Sequence, residues 1–471
     1  MNPPAMPHSF DPGILREYDV RGIVGQSLTE ADAKTLGLTF GTTITRAGGK
    51  TVTCGLDGRL SSPALHAALC AGLLETGCHV TTLPVGPTPM TYFAAHHLGA
   101  DAAVMVTGSH NPPEYNGFKM VLFNKPFYGA AIQDLGRMAA ANDIDRAQGG
   151  TQDAADIRDA YVDRLLADFV PDRELNVVWD AGNGAAGEIL MRLVARLPGR
   201  HTVLYGDIDG RFPNHHPDPT VDENLADLQA CLKAERADLG IALDGDGDRI
   251  GAIDEHGGVI RCDMLLALYA AEVLKSSPGA TIIGDVKCSG ALFAEIDRLG
   301  GKPLMWKTGH SLVKAKMAET HSPLAGELSG HIFFADRYYG FDDALYCAIR
   351  LLNIVGAGDA PLSGHFAHLP ARLGTPEIRF EVDDARKFDV ARRLKDHLAE
   401  LFAGENYTLT DIDGIRLDGP RGWLLVRPSN TQPAMVARIE GETPEIMDLL
   451  RERLVAALAR EQLGLPGTNN H

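Results

Sequence analysis

An internal repeat constrains this chain more than any other feature. Three segments each run an apolar, β-rich stretch into an aspartate, a small-residue turn and a helix-period stretch. They are TVTCGLDGRLSSPALHAALCAGLLE from Thr51, NVVWDAGNGAAGEILMRLVARL from Asn176 and ATIIGDVKCSGALFAEIDRLGG from Ala280. Each continues through a second short strand (CHVTTL, HTVLY, KPLMW) into a further βα-like stretch. Because an apolar strand must be covered by a packed layer, the repeat predicts three related α/β units. Downstream of each opening aspartate comes one polar, glycine-bearing loop at the end of an apolar strand. The first holds Ser109, the second Asp244, Asp246 and Asp248, the third Glu327, Ser329 and His331. Ligands of open α/β sheets collect beyond the carboxyl ends of the strands, so the three loops are expected to face one shared cleft.

The last hundred residues lack the repeat. EIRFEV, a helix-period stretch from Asp389 to Phe402, TDIDGIRLD, GWLLVRPSNTQPAMVARIE and a helix from Pro444 read as strand, helix, three strands, helix. That order describes an antiparallel α+β unit. Placing boundaries where helix pattern gives way to loop divides the chain into residues 1–155, 156–258, 259–371 and 372–471. Its 471 residues ask for about three or four units at roughly 150 per domain.

Composition narrows the function. With 45% apolar and 23% charged residues this is a folded globular chain. Asp and Glu outnumber Lys and Arg by 62 to 44, and a formal charge of −18 repels phosphate backbones and anionic lipid. Neither nucleic acid nor membrane is expected as a partner, and an anionic substrate would need a few Arg and Lys placed locally. No stretch reaches the ~18 apolar residues of a membrane span, and the start carries no leader pattern. The seven cysteines, odd in number and without C-x-x-C spacing, read as buried free thiols of a reducing compartment. A cytoplasmic protein without an obligate protein partner, a monomer, is expected.

In DGDGDR, carboxylates at every second residue with glycines between can curl around one hard cation. An EF-hand reading puts Glu255 at position 12, but Arg249 stands where that loop needs glycine and a strand, LGIAL, precedes it. Mg²⁺ completed by a phosphate oxygen fits better than calcium or a bare acidic turn. TGSHNPPEYNGFK sets Ser109 after a buried strand with Lys119 close behind, a setting for an exposed nucleophile. RPSNTQP, Arg427 to Pro433, offers a guanidinium, two hydroxyls, an amide and backbone N–H groups within the five residues Arg427 to Thr431, the inventory of a phosphate cradle. In GELSGH the Glu327 carboxylate and Ser329 hydroxyl suit paired sugar hydroxyls. His331, and His310 in KTGHS, could move protons, bind phosphate or be structural. Two decoys remain. GNGAAG, Gly182 to Gly187, with Asp207 twenty residues beyond, matches a dinucleotide-binding turn. GGKT, Gly48 to Thr51, resembles the end of a P-loop but has Ile44 where the first glycine belongs.

TGSHNP, DGDGDR, GELSGH and RPSNTQP, in that order and accompanied by YDVRG, NGFK, DVKCS and MWKTGHS, make the chain resemble the α-D-phosphohexomutase family, and within it the bacterial bifunctional phosphomannomutase/phosphoglucomutase branch. The resemblance runs from about Tyr18 to the last helix. It implies a heart-shaped enzyme of three related α/β domains with mixed sheets and a smaller α+β C-terminal domain around a central cleft, the four serving as phosphoserine, metal-binding, sugar-binding and phosphate-binding domains. It implies reversible conversion of hexose 1-phosphate to hexose 6-phosphate, of mannose or glucose, with glucose 1,6-bisphosphate as intermediate and activator. It further implies a phosphorylated Ser109 and Mg²⁺ on Asp244, Asp246, Asp248 and the Ser109 phosphate. Arg21, Lys119 and Arg249 would lie near the transferred group, and Lys119 or His331 would move the proton. Glu327 and Ser329 would read the sugar, and Lys287, His310 and His331 would line the cleft. The distal phosphate would sit on Arg427, Ser429, Asn430 and Thr431, with Tyr18 closing the site. Pro428 and Gln432 depart from the family's loop, whereas Leu328 and Asn430 point away from the sibling glucosamine-phosphate activity.

Overall fold

The computed structural model describes residues 7–370, 372–383, 385–429 and 434–466. The three repeats fold into three sheets with one topology. In the first sheet the strands Tyr115–Leu122, Ala102–Val106, Thr51–Leu56 and His79–Thr82 lie side by side in that order. Val20–Ile23 flanks one side of this set and Thr151–Ala154 the other. The second sheet repeats the set as Ile250–Asp254, Leu239–Leu243, Leu175–Asp180 and Gly199–Leu204, and the third as Ile332–Phe334, Leu324–Gly326, Thr281–Asp285 and Lys302–Trp306. In each, the strand opening the repeat runs parallel to both neighbours, and only the strand after the polar loop turns back antiparallel. All three sheets are therefore mixed. Each polar loop is the bend of an antiparallel pair beside the carboxyl end of the opening strand.

That placement explains the repeated aspartate, which accepts from N–H and O–H groups that the turn would otherwise leave buried and unpaired. Asp57 accepts from Thr107 Oγ1 at 2.8 Å and Gly108 N at 3.1 Å, fixing the serine loop. Asp285 accepts from Lys287 N at 3.1 Å and Leu328 N at 3.4 Å. Asp180 accepts from Gly182 N at 2.8 Å and pairs with His215 at 3.0 Å.

The fourth sheet is antiparallel throughout and is covered by the helices Lys387–Leu401 and Pro444–Arg460. One strand was expected through TDIDGIRLD, but two form, Thr408–Thr410 and Ile415–Gly419. A bend separates them because Gly414 takes a φ of +83°, which an extended strand cannot contain. GGKT is a turn between the helix Glu30–Arg46 and the strand Thr51–Leu56.

One continuous core runs from Leu83 through Trp179 and Leu266 to Leu362, crossing the first three units. The first unit adds a second core of its own, from Phe10 to Ala139. The fourth unit keeps a separate core, Phe380 to Leu465, and meets the third through a small patch of Val286, Trp423 and Leu425. All seven cysteines are free thiols, six of them buried.

Candidate active site

The serine loop and the aspartate loop are pressed together. Ser109, expected to be an exposed nucleophile, is instead 3% exposed because the aspartate loop packs over it; it takes a φ of +49° and donates its Oγ–H to Asp244 Oδ2 at 3.1 Å. A Cβ at Gly245 would stand 2.4 Å from Ser109 O, so only glycine allows this approach. GNGAAG serves the same contact: Ala185 N donates to Gly245 O at 2.9 Å, and a Cβ at Gly184 would meet that oxygen at 2.9 Å. The aspartate loop therefore occupies the place where a dinucleotide would have to approach the turn. Glu255, position 12 of the discarded EF-hand, pairs with Ser363 instead.

Asp244, Asp246 and Asp248 are buried within ligand distance of one another. Asp244 Oδ1 accepts from Asp248 N and Arg249 N at 3.1 Å each, curling the loop as the sequence pattern requires. Thr88 Oγ1 donates to Asp246 Oδ2 at 2.5 Å. Lys119 Nζ lies 2.8 Å from Asp246 Oδ2 and also binds Asp248. Burial and then the charges of Asp246 and Asp248 push the Asp244 carboxyl up. Burial opposes the Lys119 ammonium, but Asp246 and Asp248 outweigh it and hold its pKa well above the usual lysine value. Asp246 Oδ1 and Asp248 Oδ1 are buried without a hydrogen-bond partner among the described residues, with His331 Nδ1 3.4 Å from the latter. Buried carboxylate oxygens within 4.8 Å of one another, two of them lacking donors, fit a hard divalent cation.

Cations surround this centre. Arg21 donates to Gly108 O and, at 2.9 Å, to Asn111 Oδ1, and is anchored on Asp19 at 2.5 Å. Arg249 Nε donates to His331 Nε2 at 3.0 Å. His331 Nδ1 stands 3.0 Å from Asp342 Oδ2, and Lys314 pairs with the other Asp342 oxygen at 2.8 Å. The His331 ring stacks on His310 at 5.5 Å between centroids, and His310 meets Tyr18 edge-on at 6.1 Å. Thus the serine, aspartate and third-unit loops meet at one buried centre, through Ser109 with Asp244 and Arg249 with His331.

The remaining expected residues lie along the third and fourth units. Glu327 is buried and accepts from Gly309 N at 2.5 Å, while Ser329 sits half-buried at the bend of the same loop. Lys287 is buried, 2.9 Å from Glu377. Arg427 is buried against Asp413 at 3.1 Å, and Ser429, also buried, closes its strand end by bonding Ala434 O at 2.8 Å. Asn430 and Thr431 lie outside the described residues. Tyr18 donates to Thr308 O at 2.7 Å.

Sequence reading missed several partners. Arg59, 1% exposed, threads the serine loop and donates to the carbonyls of Ser109 (2.7 Å), Asn111 (2.5 Å), Pro112 (2.6 Å) and Tyr115 (3.0 Å). Its signal was the DGR that follows the first repeat's aspartate. His110, beside the serine, bonds Asp218 at 2.8 Å, and burial, with Arg249 next, pushes its pKa down to about 4. Thr88 and Asp342 left no local pattern.

Comparison with known proteins agrees over the whole chain. Residues 13–139, 159–258 and 261–373 match the phosphoglucomutase/phosphomannomutase alpha/beta/alpha domains I, II and III, and 377–457 the C-terminal domain of the same family. The phosphomannomutase/phosphoglucomutase of Pseudomonas aeruginosa is 44% identical over 449 residues, 95% of each chain. That of Pseudomonas putida is 43% identical over 98% of each. A crystal structure of a phosphoglucomutase/phosphomannomutase family protein from Burkholderia thailandensis superposes with a TM-score of 0.90 at 42% identity, covering 98% of this chain and 99% of its own.

Proposed function

The chain belongs to the phosphoglucomutase/phosphomannomutase family, and from that premise we propose that it interconverts hexose 1-phosphates and 6-phosphates, of glucose, mannose or both, through a phosphorylated Ser109 and a 1,6-bisphosphate. One observation carries the reading: the Ser109 hydroxyl lies 3.1 Å from Asp244 inside a buried cluster of three carboxylates ringed by Lys119, Arg21 and Arg249. A nucleophile, a cation cage and fixed positive charge in one buried cluster are the parts phosphoryl transfer needs.

In the forward direction the free hydroxyl of a bound hexose phosphate attacks the phosphorus on Ser109. The bond to Ser109 Oγ breaks, and the hexose leaves the step as a bisphosphate. The bisphosphate turns around and returns its other phosphoryl group to Ser109, giving the isomeric monophosphate. Phosphoserine carries about −1.5 to −2 charge. Asp244, Asp246 and Asp248 would hold Mg²⁺, which when bound supplies charge neutralisation at the phosphoryl oxygens. Arg21 and Arg249 stabilise the same oxygens directly.

Lys119 stays protonated on Asp246 and Asp248, which supports an electrostatic role for it. His331 Nε2 faces an N–H donor, Arg249 Nε, and is therefore the unprotonated nitrogen, with Nδ1 turned to Asp342. We assign His331 Nε2 the proton leaving the attacking hydroxyl, its lone pair being freed when the Arg249 guanidinium turns from it to the phosphoryl oxygens. Glu327 and Ser329 read sugar hydroxyls, Lys287 and His310 line the cleft, and Tyr18 closes it. Arg427 and Ser429, with Asn430 and Thr431, take the distal phosphate. The net charge of −18 with cations gathered in the cleft supports a small anionic substrate over a nucleic acid. Seven free thiols, six of them buried, support a cytoplasmic location; no helix among the described residues is long and apolar enough to cross a membrane.

Peptide mass spectrometry of the purified protein, followed by incubation with Mg²⁺ and glucose 1-phosphate or mannose 1-phosphate, tests the reading. Phosphate on the Ser109 peptide and appearance of the 6-phosphate are expected. A serine that glucose 1,6-bisphosphate cannot phosphorylate, with no turnover of either sugar, would overturn it.

A further inference from the structure

Two residues of the third unit, Thr308 and Gly309, are gripped from three sides. Thr308 N donates to Asp413 Oδ2 of the fourth unit at 3.0 Å. Thr308 O accepts from Tyr18 of the first unit at 2.7 Å. Gly309 N donates to Glu327 of the third at 2.5 Å. Asp413 has a second hold: its Oδ1 accepts from Arg427 Nη2 at 3.1 Å, and its Oδ2 lies 3.1 Å from Arg427 Nε. Both side chains are about nine-tenths buried. The bend that brings them together is obligatory, since a Cβ at Gly414 would stand 2.3 Å from Arg427 Cβ. A guanidinium carries five N–H donors in a rigid fork, so a carboxylate on one side fixes its plane and leaves donors for an anion on the other.

We propose that Asp413 is a positioning residue that aims Arg427 at the substrate phosphate and latches the fourth unit to the Thr308 loop. The inference rests on the reading of Arg427 as a phosphate ligand. An ion pair serving stability alone would have no reason to share its carboxylate with the backbone N–H beside Tyr18 and Glu327. The shared carboxylate couples the angle of the guanidinium to closure of the cleft.

The test compares Asp413→Ala and Asp413→Asn with Asp411→Ala, an exposed neighbour paired with Lys395 on the surface. KM for glucose 1-phosphate, its Kd by calorimetry, kcat and melting temperature are measured on the full chain. We expect Asp413→Ala to raise KM and Kd together by about tenfold or more while kcat stays within about threefold. Asp413→Asn, which keeps the acceptor but loses the charge, should move both in the same direction by less, and Asp411→Ala should match wild type. KM and Kd within about twofold of wild type in both Asp413 variants, or a fall in kcat alone that tracks a lower melting temperature, would overturn the proposal. Should Asp413→Ala fail to fold, the same two criteria are read on Asp413→Asn. Wild-type protein that binds the sugar phosphate without turning it over would count against the proposed function, and the Kd comparison would still decide the role of Asp413.

Discussion

At the scale of single residues, the approach of two loops rests on missing atoms. Gly245 has Ser109 O where a Cβ would be, and the obstacle is backbone, which cannot rotate away. Gly245→Ala should therefore separate the serine from the aspartates. A displacement near 1 Å costs on the order of a hundredfold in rate, so steady-state assays should show kcat lower by about that factor in a protein that still folds. Asp343 gives a residue-scale prediction on stability. Burial pushes its pKa up to about 6, despite hydrogen bonds from Tyr346 N and the hydroxyls of Tyr161 and Tyr338. The folded state holds the proton while the unfolded carboxyl, near its ordinary value, releases it. The stability that Asp343 contributes is thus fully present below about pH 4 and lost as pH rises through 6. A gap of about two pH units corresponds to about 3 kcal/mol. Urea unfolding across that window should show a decline in wild type relative to Asp343→Asn, and parallel curves would refute the assignment.

At the scale of elements, the three repeats share one strand order with a carboxylate at the end of the opening strand: Asp57 and Asp285 cap the polar loop beside them, and Asp180 caps its own turn at Gly182 and pairs with His215. The repeat, the antiparallel last unit and the Asp triad were readable in the sequence because each is a contiguous pattern. Ser109 stood out for the same reason, as an exposed-looking residue after a buried strand. What could not be read are partners joined across the fold. Arg59 meets Ser109 from 50 residues away, Thr88 meets Asp246 from 158, and Asp413 meets Thr308 from 105. A split strand at Asp411–Gly414 was also hidden, since a glycine within a strand pattern signals a bend only once its φ is known. The serine loop is the element most exposed to such a hidden partner. Arg59→Lys would replace a fork serving four carbonyls with a single ammonium. Leaving two or more of those carbonyls unpaired should cost about 2–4 kcal/mol in denaturant unfolding. The loop should also lose its set, so that turnover falls more steeply than stability. A variant with wild-type unfolding and rate would show that the loop holds its shape without Arg59.

At the scale of the molecule, the cores decide what can move. The first three units share one buried cluster from Leu83 to Leu362, and sliding any of them would open it. The fourth unit has its own core and is held to the third by a small apolar patch and by polar clasps. Arg416 donates to Val286 O and Cys288 O at 2.7 Å each and lies 3.8 Å over the Trp423 ring. Glu440 accepts from Ser289 Oγ and Trp423 Nε1 at 2.9 Å. Interfaces of this kind, more polar than a core, allow rigid-body displacement. The proposed chemistry needs it, because one phosphate site must accept either end of the bisphosphate and the intermediate must turn in between. Motion on the μs to ms scale is expected, with the fourth unit as the moving body. Adding glucose 1,6-bisphosphate and Mg²⁺ should lower the radius of gyration in solution scattering. Amide exchange should slow at Thr308, whose N–H bonds Asp413 across the two units, as the ligand holds the fourth unit on that contact for a larger share of the time, while the strands of the shared core stay as they were. Superimposable scattering profiles and unchanged exchange at Thr308 would mean that the bisphosphate turns in a cleft of fixed width. The separate core of the fourth unit would then owe nothing to catalysis.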